Sequence, residues 1–243
     1  MVYELRTYTL YPGKMPEYLK AAETIGRPAR GQNFGVNHGY WTAEFGALNQ
    51  IWHLWKYDSY EERTRLRTEL MKHKPWTEGY VPVIRPLIQR QDLRLMNPVV
   101  NIKPSDGTTG NVYELRVYRC NMGGATQYGK DFKEVQAARE KYSPIWGAWT
   151  GEFPQPNEWI HLWRYKNLEE RFKARSDAIT AALKADGIDS TRVAQPAGEN
   201  VAAGVNKLVP LKKPRKLSSH AVRTEASCAC TCQRSVSGCW SLQ

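Results

Sequence analysis

The sequence predicts an α+β protein built from two tandem copies of one β-α-β-β-α-β unit. The prediction rests on an internal repeat, on short segments in which apolar and polar residues alternate, and on helical spacing of apolar residues between those segments. Residues 39–63 align with residues 147–171 without a gap and share the patterns Gly-x-Trp-Thr-x-Glu-Phe, His-Leu-Trp-x-Tyr and Glu-Glu-Arg. Solenoid repeats are only about 20–50 residues long, so this longer period indicates a duplicated domain.

Each copy begins with a strand and continues into a helix. Residues 2–8 (VYELRTY) recur as residues 112–118 (VYELRVY), and both segments alternate as a strand does. Over residues 15–25 the apolar side chains fall at helical spacing, so we predict a helix there. We expect that helix to end near Gly26 and Pro28, because both residue types disfavour a helix interior.

The second half of each unit reads as a hairpin, a helix and a closing strand. Residues 39–45 and 50–57 alternate again, and the short link between them suits a hairpin. Ser59-x-x-Glu is a capping-box pattern with a counterpart at Asn167, so we predict a helix after each. A last strand, from about Val83 to Leu95, closes the first unit. This order is the ferredoxin-like arrangement, in which the sheet order is 4-1-3-2.

The boundaries of the units follow from composition. We predict domains at 1–96 and 112–195, joined by a linker at 97–111 that is rich in Pro, Gly, Ser and Thr. The second copy has no counterpart of the closing strand, although residues 201–211 are a candidate. We expect the basic tail at 196–243 to be disordered, because it is poor in periodic apolar residues.

Composition excludes several classes of protein. Hydrophobic residues make up 41% of the chain, which is enough for a core and argues against disorder throughout. No apolar run approaches the roughly 18 residues of a membrane span. The first residues read as a strand and not as a targeting leader, and the body holds a single cysteine, Cys120. We therefore predict a cytoplasmic protein.

The net charge of +11 is concentrated toward the tail. Residues 196–243 hold seven Lys or Arg and two Glu, a balance of +5, and four cysteines: Cys228, Cys230, Cys232 and Cys239. Their spacing fits neither the paired CxxC pattern nor a Cys/His finger, so we assign no metal site. No basic groove studded with aromatic residues is present, so we expect no specific nucleic-acid partner.

The alternation of the central strands sorts their residues into two faces. One face of each sheet is apolar, with Leu5 and Leu54 in the first copy, and we expect it to contact the helices. The other face carries charged and aromatic side chains, and we expect two such faces to pack together as a closed barrel with a polar-aromatic interior. We include one carboxylate from the second strand of each copy, Glu44 in the first and Glu152 in the second. The candidate ligand-binding residues of that interior are Glu4, Arg6, Tyr8, Glu44, His53, Trp55, Tyr57, Glu114, Arg116, Tyr118, Glu152, His161, Trp163 and Tyr165.

The repeated motifs VYELRTYTL, GYWTAEFG and WHLWKY, followed by Glu-Glu-Arg, resemble the NIPSNAP family. The resemblance covers about residues 1–96 and 112–185. It implies a dimeric α+β barrel fold and a molecular activity that is unsettled for the family. Animal members are implicated in mitochondrial quality control and vesicle transport, so the resemblance also implies an association with mitochondria, which the absence of a leader does not support.

Two interpretations of the polar residues stay open. His53 and His161 are either proton shuttles or haem ligands, as in some barrels of the superfamily, or interior histidines hydrogen-bonded to a neighbouring strand. Arg6 and Arg116 either clamp a carboxylate or phosphate, or form an ion-pair network with nearby glutamates. The segment 72–76 has no counterpart in the second copy and is predicted to be a solvated helix end.

We therefore predict a barrel-type ligand-binding or protein-interaction module and assign no catalytic residue. The alternative is a cofactor-independent or haem-handling monooxygenase that uses the barrel cavity, so haem is the one cofactor under consideration. The expected partners are a small molecule in the barrel and other proteins. A flexible linker of this length lets the barrel close within one chain or between chains, as a homo-oligomer.

Overall fold

The structure is a computed structural model that describes residues 1–103, 110–185 and 238–241. The strands are β1 (Val2–Leu10), β2 (Val36–Ala43), β3 (Gln50–Tyr57), β4 (Ile88–Val100), β5 (Val112–Arg119), β6 (Ile145–Phe153), β7 (Glu158–Tyr165) and β8 (Gly238–Ser241). The helices are α1 (Met15–Ala21), α2 (Arg27–Arg30), α3 (Tyr60–Lys72), α4 (Val81–Ile84), α5 (Gly124–Glu140) and α6 (Leu168–Ala185). None of the described helices is long and apolar enough to cross a bilayer.

The strands form one closed barrel within a single chain. The N-terminal half contributes the order β4-β1-β3-β2, as predicted, and the C-terminal half contributes β8-β5-β7-β6. The halves join where β4 pairs with β6 and where β2 pairs with β8. Their central registers match: Glu4 lies opposite Trp55 and Arg6 opposite His53, and likewise Glu114 opposite Trp163 and Arg116 opposite His161. The predicted α+β fold of two ferredoxin-like units is confirmed.

Strand β8 takes the place of the closing strand that the second copy lacks. It pairs with β5 on one side and β2 on the other, as β4 pairs with β1 and β6. The prediction of a disordered tail was therefore wrong for residues 238–241, which find an open strand edge to pair with. The candidate strand at 201–211 lies outside the described residues.

Side-chain caps fix where the two long helices after the hairpins begin. The Ser59 hydroxyl accepts a hydrogen bond of 3.0 Å from the backbone N–H of Glu62, and the Glu62 carboxylate accepts one from the Asp58 N–H. Asn167 caps α6 in the same way, accepting from the Glu170 N–H at 2.8 Å. Both predicted caps are confirmed, and each satisfies a donor that a helix start leaves without a partner; the glutamates reach the N–H one residue before the cap, at Asp58 and Lys166.

Two predicted boundaries in the N-terminal half were wrong. The first helix does not stop at Gly26, because a wide π turn over Ala22–Gly26 leads directly into α2. The closing strand begins at Ile88, since the prolines at 82 and 86 lie in the first turn of short helical segments, a position that proline favours. Strand β4 then continues to Val100, into the segment predicted as a linker.

The barrel interior is apolar, which reverses the predicted assignment of the two sheet faces. The residues that fill it come from both halves and include Leu5, Trp52, Leu54, Met96, Leu115, Trp149 and Leu162. The void left between them is only about 10 Å³. Eight strands enclose this centre and exclude water, so apolar side chains gain most by filling it, whereas a charged face gains partners by facing the helices.

The repeated Gly-x-Trp pattern has a packing reason. In each half the tryptophan two residues after the glycine lays its indole over that glycine, and both tryptophans are buried in the barrel. A methyl group on Gly39 would lie 1.8 Å from the Trp41 ring, and one on Gly147 would lie 2.5 Å from the Trp149 ring. Only a residue without a side chain fits at either position.

Candidate ligand site between the sheet and the helices

The predicted polar residues come together, but on the outer face of the sheet beneath the helices. Tyr8 contacts Tyr18 of α1, with ring centroids 6.4 Å apart, and Trp55 and Tyr57 pack with Leu66 of α3. The placement of these residues inside the barrel was wrong for both halves, for the reason given above. Listed by half, the residues so placed are Glu4, Arg6, Tyr8, His53, Trp55 and Tyr57, and Glu114, Arg116, Tyr118, His161, Trp163 and Tyr165.

The residues on this outer sheet face, together with the helix side chains that contact them, are called the polar layer below. The two remaining predicted residues, Glu44 and Glu152, do not belong to the polar layer. Both are exposed, and Glu152 accepts a hydrogen bond from the Asn97 side chain. The alternation along β2 and β6 is lost at their ends, where each strand runs into its turn. Neither carboxylate is therefore available to Arg6 or Arg116.

A buried carboxylate organises the polar layer in the N-terminal half. Glu4 is completely buried, and its Oε1 accepts a hydrogen bond of 2.9 Å from Arg6 Nη1. Its Oε2 pairs with Arg63 of α3, which ties the helix to the sheet. Burial alone would raise the pKa of Glu4, but the charges of Arg6 and Arg63 outweigh it and lower that pKa.

The C-terminal half repeats this ion-pair arrangement. Glu114 accepts hydrogen bonds from Arg116 at 2.8 Å and from Arg171 of α6 at 2.6 Å. A third arginine, Arg175, approaches the same carboxylate at 3.7 Å. Each half thus has a glutamate on the first strand held by an arginine two residues later and another from the following helix.

The two histidines are neutral and hold their protons on Nε2. The Trp55 indole N–H donates to His53 Nδ1 at 2.5 Å, and Trp163 donates to His161 Nδ1 at 2.7 Å. An indole nitrogen can only donate, so each Nδ1 is an acceptor and the proton lies on Nε2. Burial, followed by nearby arginines, holds the pKa of both histidines well below 6.5.

An arginine covers the tryptophan in each half. The Arg30 guanidinium lies 3.2 Å from the centre of the Trp55 ring and donates to the Tyr57 hydroxyl at 3.0 Å. In the other half Arg139 lies 4.7 Å above the Trp163 ring. Burial lowers the pKa of Arg30 to about 10. Both arginines were missed, because their sequence positions show no pattern that links them to the strands.

A cleft of about 440 Å³ opens beside the polar layer in the N-terminal half, between β1, β4 and the helices α3 and α4. Its lining includes four arginines: Arg6, Arg67, Arg85 and Arg90. The rest of the lining is largely apolar, with Tyr8, Met71, Trp76, Val81, Ile84 and Ile88, and Gln89 and Gln91 complete it. Trp76 was predicted to lie on a solvated helix end; instead its ring turns toward Tyr80, 4.7 Å away, because a π turn continues the chain.

Arg67 is the unusual residue of the cleft. It is half-buried, yet it makes no hydrogen bond or ion pair with any described residue. Burial, and then the like charge of Arg6, lowers its pKa. The spacing of Arg63 and Arg67 recurs as Arg171 and Arg175, so the repeat itself held the signal for these helix arginines.

Comparison with known proteins agrees with this architecture. A model of the NIPSNAP family matches residues 3–101 and 113–192, which is most of the chain. The chain belongs to the NIPSNAP family. Human Protein NipSnap homolog 3A is 31% identical to it over 176 residues, covering 71% of this chain and 70% of that protein. A crystal structure of a NIPSNAP family protein of unknown function from Agrobacterium tumefaciens is 37% identical over 40% of this chain and 87% of its own, with a TM-score of 0.39.

The fold extends beyond the NIPSNAP family. A crystal structure from Fusobacterium nucleatum, described as a candidate monooxygenase, matches with a TM-score of 0.57 at 12% identity, over 75% of this chain and 85% of its own. At that level of identity the match shows a shared fold and nothing about activity.

The polar layer of this NIPSNAP chain does not suit haem. Axial ligation needs a histidine nitrogen with a free lone pair, but Nδ1 of each histidine accepts from an indole and Nε2 carries the proton. Within the described ranges, no three His, Cys, Asp or Glu side chains are placed to hold a metal ion. The tail cysteines lie outside the described side chains.

Proposed function

We propose that this NIPSNAP chain is a ligand-binding protein whose small-molecule ligand occupies the cleft beside α3 and α4. One observation carries the proposal: the cleft has a volume of about 440 Å³ and a half-buried arginine, Arg67, without a partner among the described residues. Ligand pockets usually have volumes of about 300–1,000 Å³ and a few fixed polar groups among apolar ones. The barrel centre, by contrast, is filled.

Binding is better supported than catalysis. The cleft lining contains no carboxylate, histidine, serine or cysteine, so it holds no nucleophile with an adjacent general base. His53 packs against Tyr8, with ring centroids 4.8 Å apart; its Nδ1 accepts from Trp55, and its protonated Nε2 is buried away from the cleft lining. The predicted monooxygenase alternative in the barrel cavity rests on fold alone and has no room in that cavity.

A ligand-observed NMR screen of a fragment library against the full chain tests this proposal. Met71 lies at the cleft and is 50% exposed, so Met71→Trp should fill the cleft without disturbing the core. Met122, 94% exposed in the other half, gives the matched control Met122→Trp. We expect fragments that bind the wild type and Met122→Trp but not Met71→Trp. Fragments that bind all three proteins alike, or no fragment at all, would overturn the proposal.

The predicted cytoplasmic location, protein partners and homo-oligomers belong to the same proposal. Because the barrel closes within one chain, a second copy is not needed to complete it. Imaging of the full chain with a small tag tests the location: a diffuse signal is expected, and a signal that follows mitochondria would contradict it. Light scattering after size-exclusion chromatography measures the oligomeric state directly.

A further inference from the structure

The arginines of the N-terminal half outnumber the carboxylates that face them. Arg6, Arg30, Arg63 and Arg67 surround a single buried carboxylate, that of Glu4. Arg6 and Arg63 bind Glu4 directly, and Arg30 stacks on tryptophan. The charge of Arg67 is left without an ion pair in the described part of the chain. The Glu4 charge acts on Arg67 only from beyond ion-pair distance and does not outweigh the cost of burial, so an anion bound directly to Arg67 would stabilise it.

The two halves differ at this position. Arg175, the equivalent of Arg67, lies 3.7 Å from the Glu114 carboxylate, whereas Arg67 forms no ion pair with Glu4. Arg6, which also lines the cleft, uses Nε and Nη1 for hydrogen bonds to Tyr8 and Glu4. Its Nη2 makes no hydrogen bond to the described residues. Two guanidinium groups at the cleft therefore have donors to spare.

The same cleft is lined by apolar side chains as well as by these donors. Trp76, Ile84 and Ile88 provide a wall on which an apolar group can be buried, and Met71 stands at the same opening. The lining holds no acidic side chain that would repel an anion or attract a cation. A ligand with an anionic end and an apolar body would satisfy both the arginine donors and the apolar lining.

We infer that the ligand is an amphipathic anion whose carboxylate or phosphate group binds Arg67 and Arg6 and whose apolar body lies along Trp76 and Ile84. This inference rests on the proposed ligand site. A neutral ligand would leave the Arg67 guanidinium without an ion pair among the described residues. A small anion without an apolar body would leave the apolar residues of the lining in contact with water.

Isothermal titration calorimetry of the full chain with four probes tests the class of ligand. Octanoate and octyl phosphate carry both features, octanamide lacks the charge and acetate lacks the apolar body. We expect the first two to bind at least about tenfold more tightly than the last two, since tenfold corresponds to only about 1.4 kcal/mol and a charged hydrogen bond contributes at least that much. The tighter of octanoate and octyl phosphate identifies the anionic group.

Two substitutions on α3 assign the effect to the cleft. Arg67→Gln should weaken the tighter probe at least about tenfold. Arg65→Gln removes the same charge from an exposed position on the same helix, so it should leave the affinity unchanged. Equal loss in both variants would mean that only the overall charge matters and would overturn the inference.

The outcomes separate this inference from the proposed site. Octanamide binding as tightly as octanoate, with both lost in Met71→Trp, would contradict the anionic class and leave the ligand site in place. Binding of octanoate that Met71→Trp does not change would place it elsewhere and overturn both. The absence of binding by all four probes would overturn the amphipathic class.

Discussion

Acidification below about pH 6.5 should destabilise the protein through its two buried histidines. His53 and His161 stay neutral in the folded protein, because burial and neighbouring arginines hold their pKa values well below 6.5. In the unfolded chain each takes up a proton near pH 6.5. As the pH falls through 6.5 the unfolded state therefore gains protons that the folded state does not, and stability decreases.

The size of this effect follows from the protonation of the unfolded chain. Between pH 7.5 and pH 5.5 an unfolded histidine changes from about one-tenth to about nine-tenths protonated, which is equivalent to about 1.4 kcal/mol when the folded form stays neutral. The two histidines together should lower the free energy of unfolding by about 2.7 kcal/mol. Glu4, whose pKa is lowered, loses its contribution only in more acidic solution.

Urea unfolding followed by circular dichroism at the two pH values measures this loss. His53→Asn keeps an oxygen in place of Nδ1 to accept from Trp55 but does not titrate, and His161→Asn does the same beside Trp163. Each variant should remove about half of the contribution of these two histidines, and the double variant nearly all of it, whatever its absolute stability. The half-buried His38, whose pKa burial also lowers, keeps its own contribution in every variant. A double variant with the pH dependence of the wild type would refute the argument that both histidines are buried as neutral side chains.

Three further substitutions test the packing, each measured by urea unfolding at pH 7.5. Gly147→Ala should cost about 1–3 kcal/mol by overpacking against Trp149; an unchanged midpoint would contradict the observed contact. Leu54→Ala should lower the free energy of unfolding by about 3 kcal/mol, because it opens a cavity in the barrel. Fragment binding at the cleft should persist in this variant; its loss would show that the barrel centre and the cleft are coupled. Ser59→Ala should cost about 1 kcal/mol, because the N–H of Glu62 loses its partner; Ser59→Thr should restore most of that loss.

The sequence was enough to predict the architecture because local patterns agreed with each other. The duplication gave the two units, the alternation gave the strands, and the capping boxes at Ser59 and Asn167 gave the helix starts. The position of β1 next to β3 followed from the predicted strand order. These features depend on residues that are close along the chain or in the next strand, so the period of the hydrophobic pattern is enough to predict them.

The orientation of the sheet could not be predicted in the same way. Alternation divides β1 into two sets of residues but does not say which set faces the helices, and aromatic residues occur in both. The decision depends on partners far apart in sequence: Arg63 supplies the counter-charge of Glu4, and Arg30 covers Trp55. Local sequence gives no sign of the Arg30 contact, whereas the recurrence of Arg63 and Arg67 could have been used.

The long strand β4 connects the two halves of the barrel. Its first residues pair with β1 and its last with β6, and Leu95 and Met96 have partners on both sides. A fragment ending near residue 96 would cut this strand where it joins the halves and leave an unpaired edge of the kind that drives aggregation. The two sequence repeats thus share a strand, and the cleft that Ile88 helps to line is built on the same strand that closes the barrel.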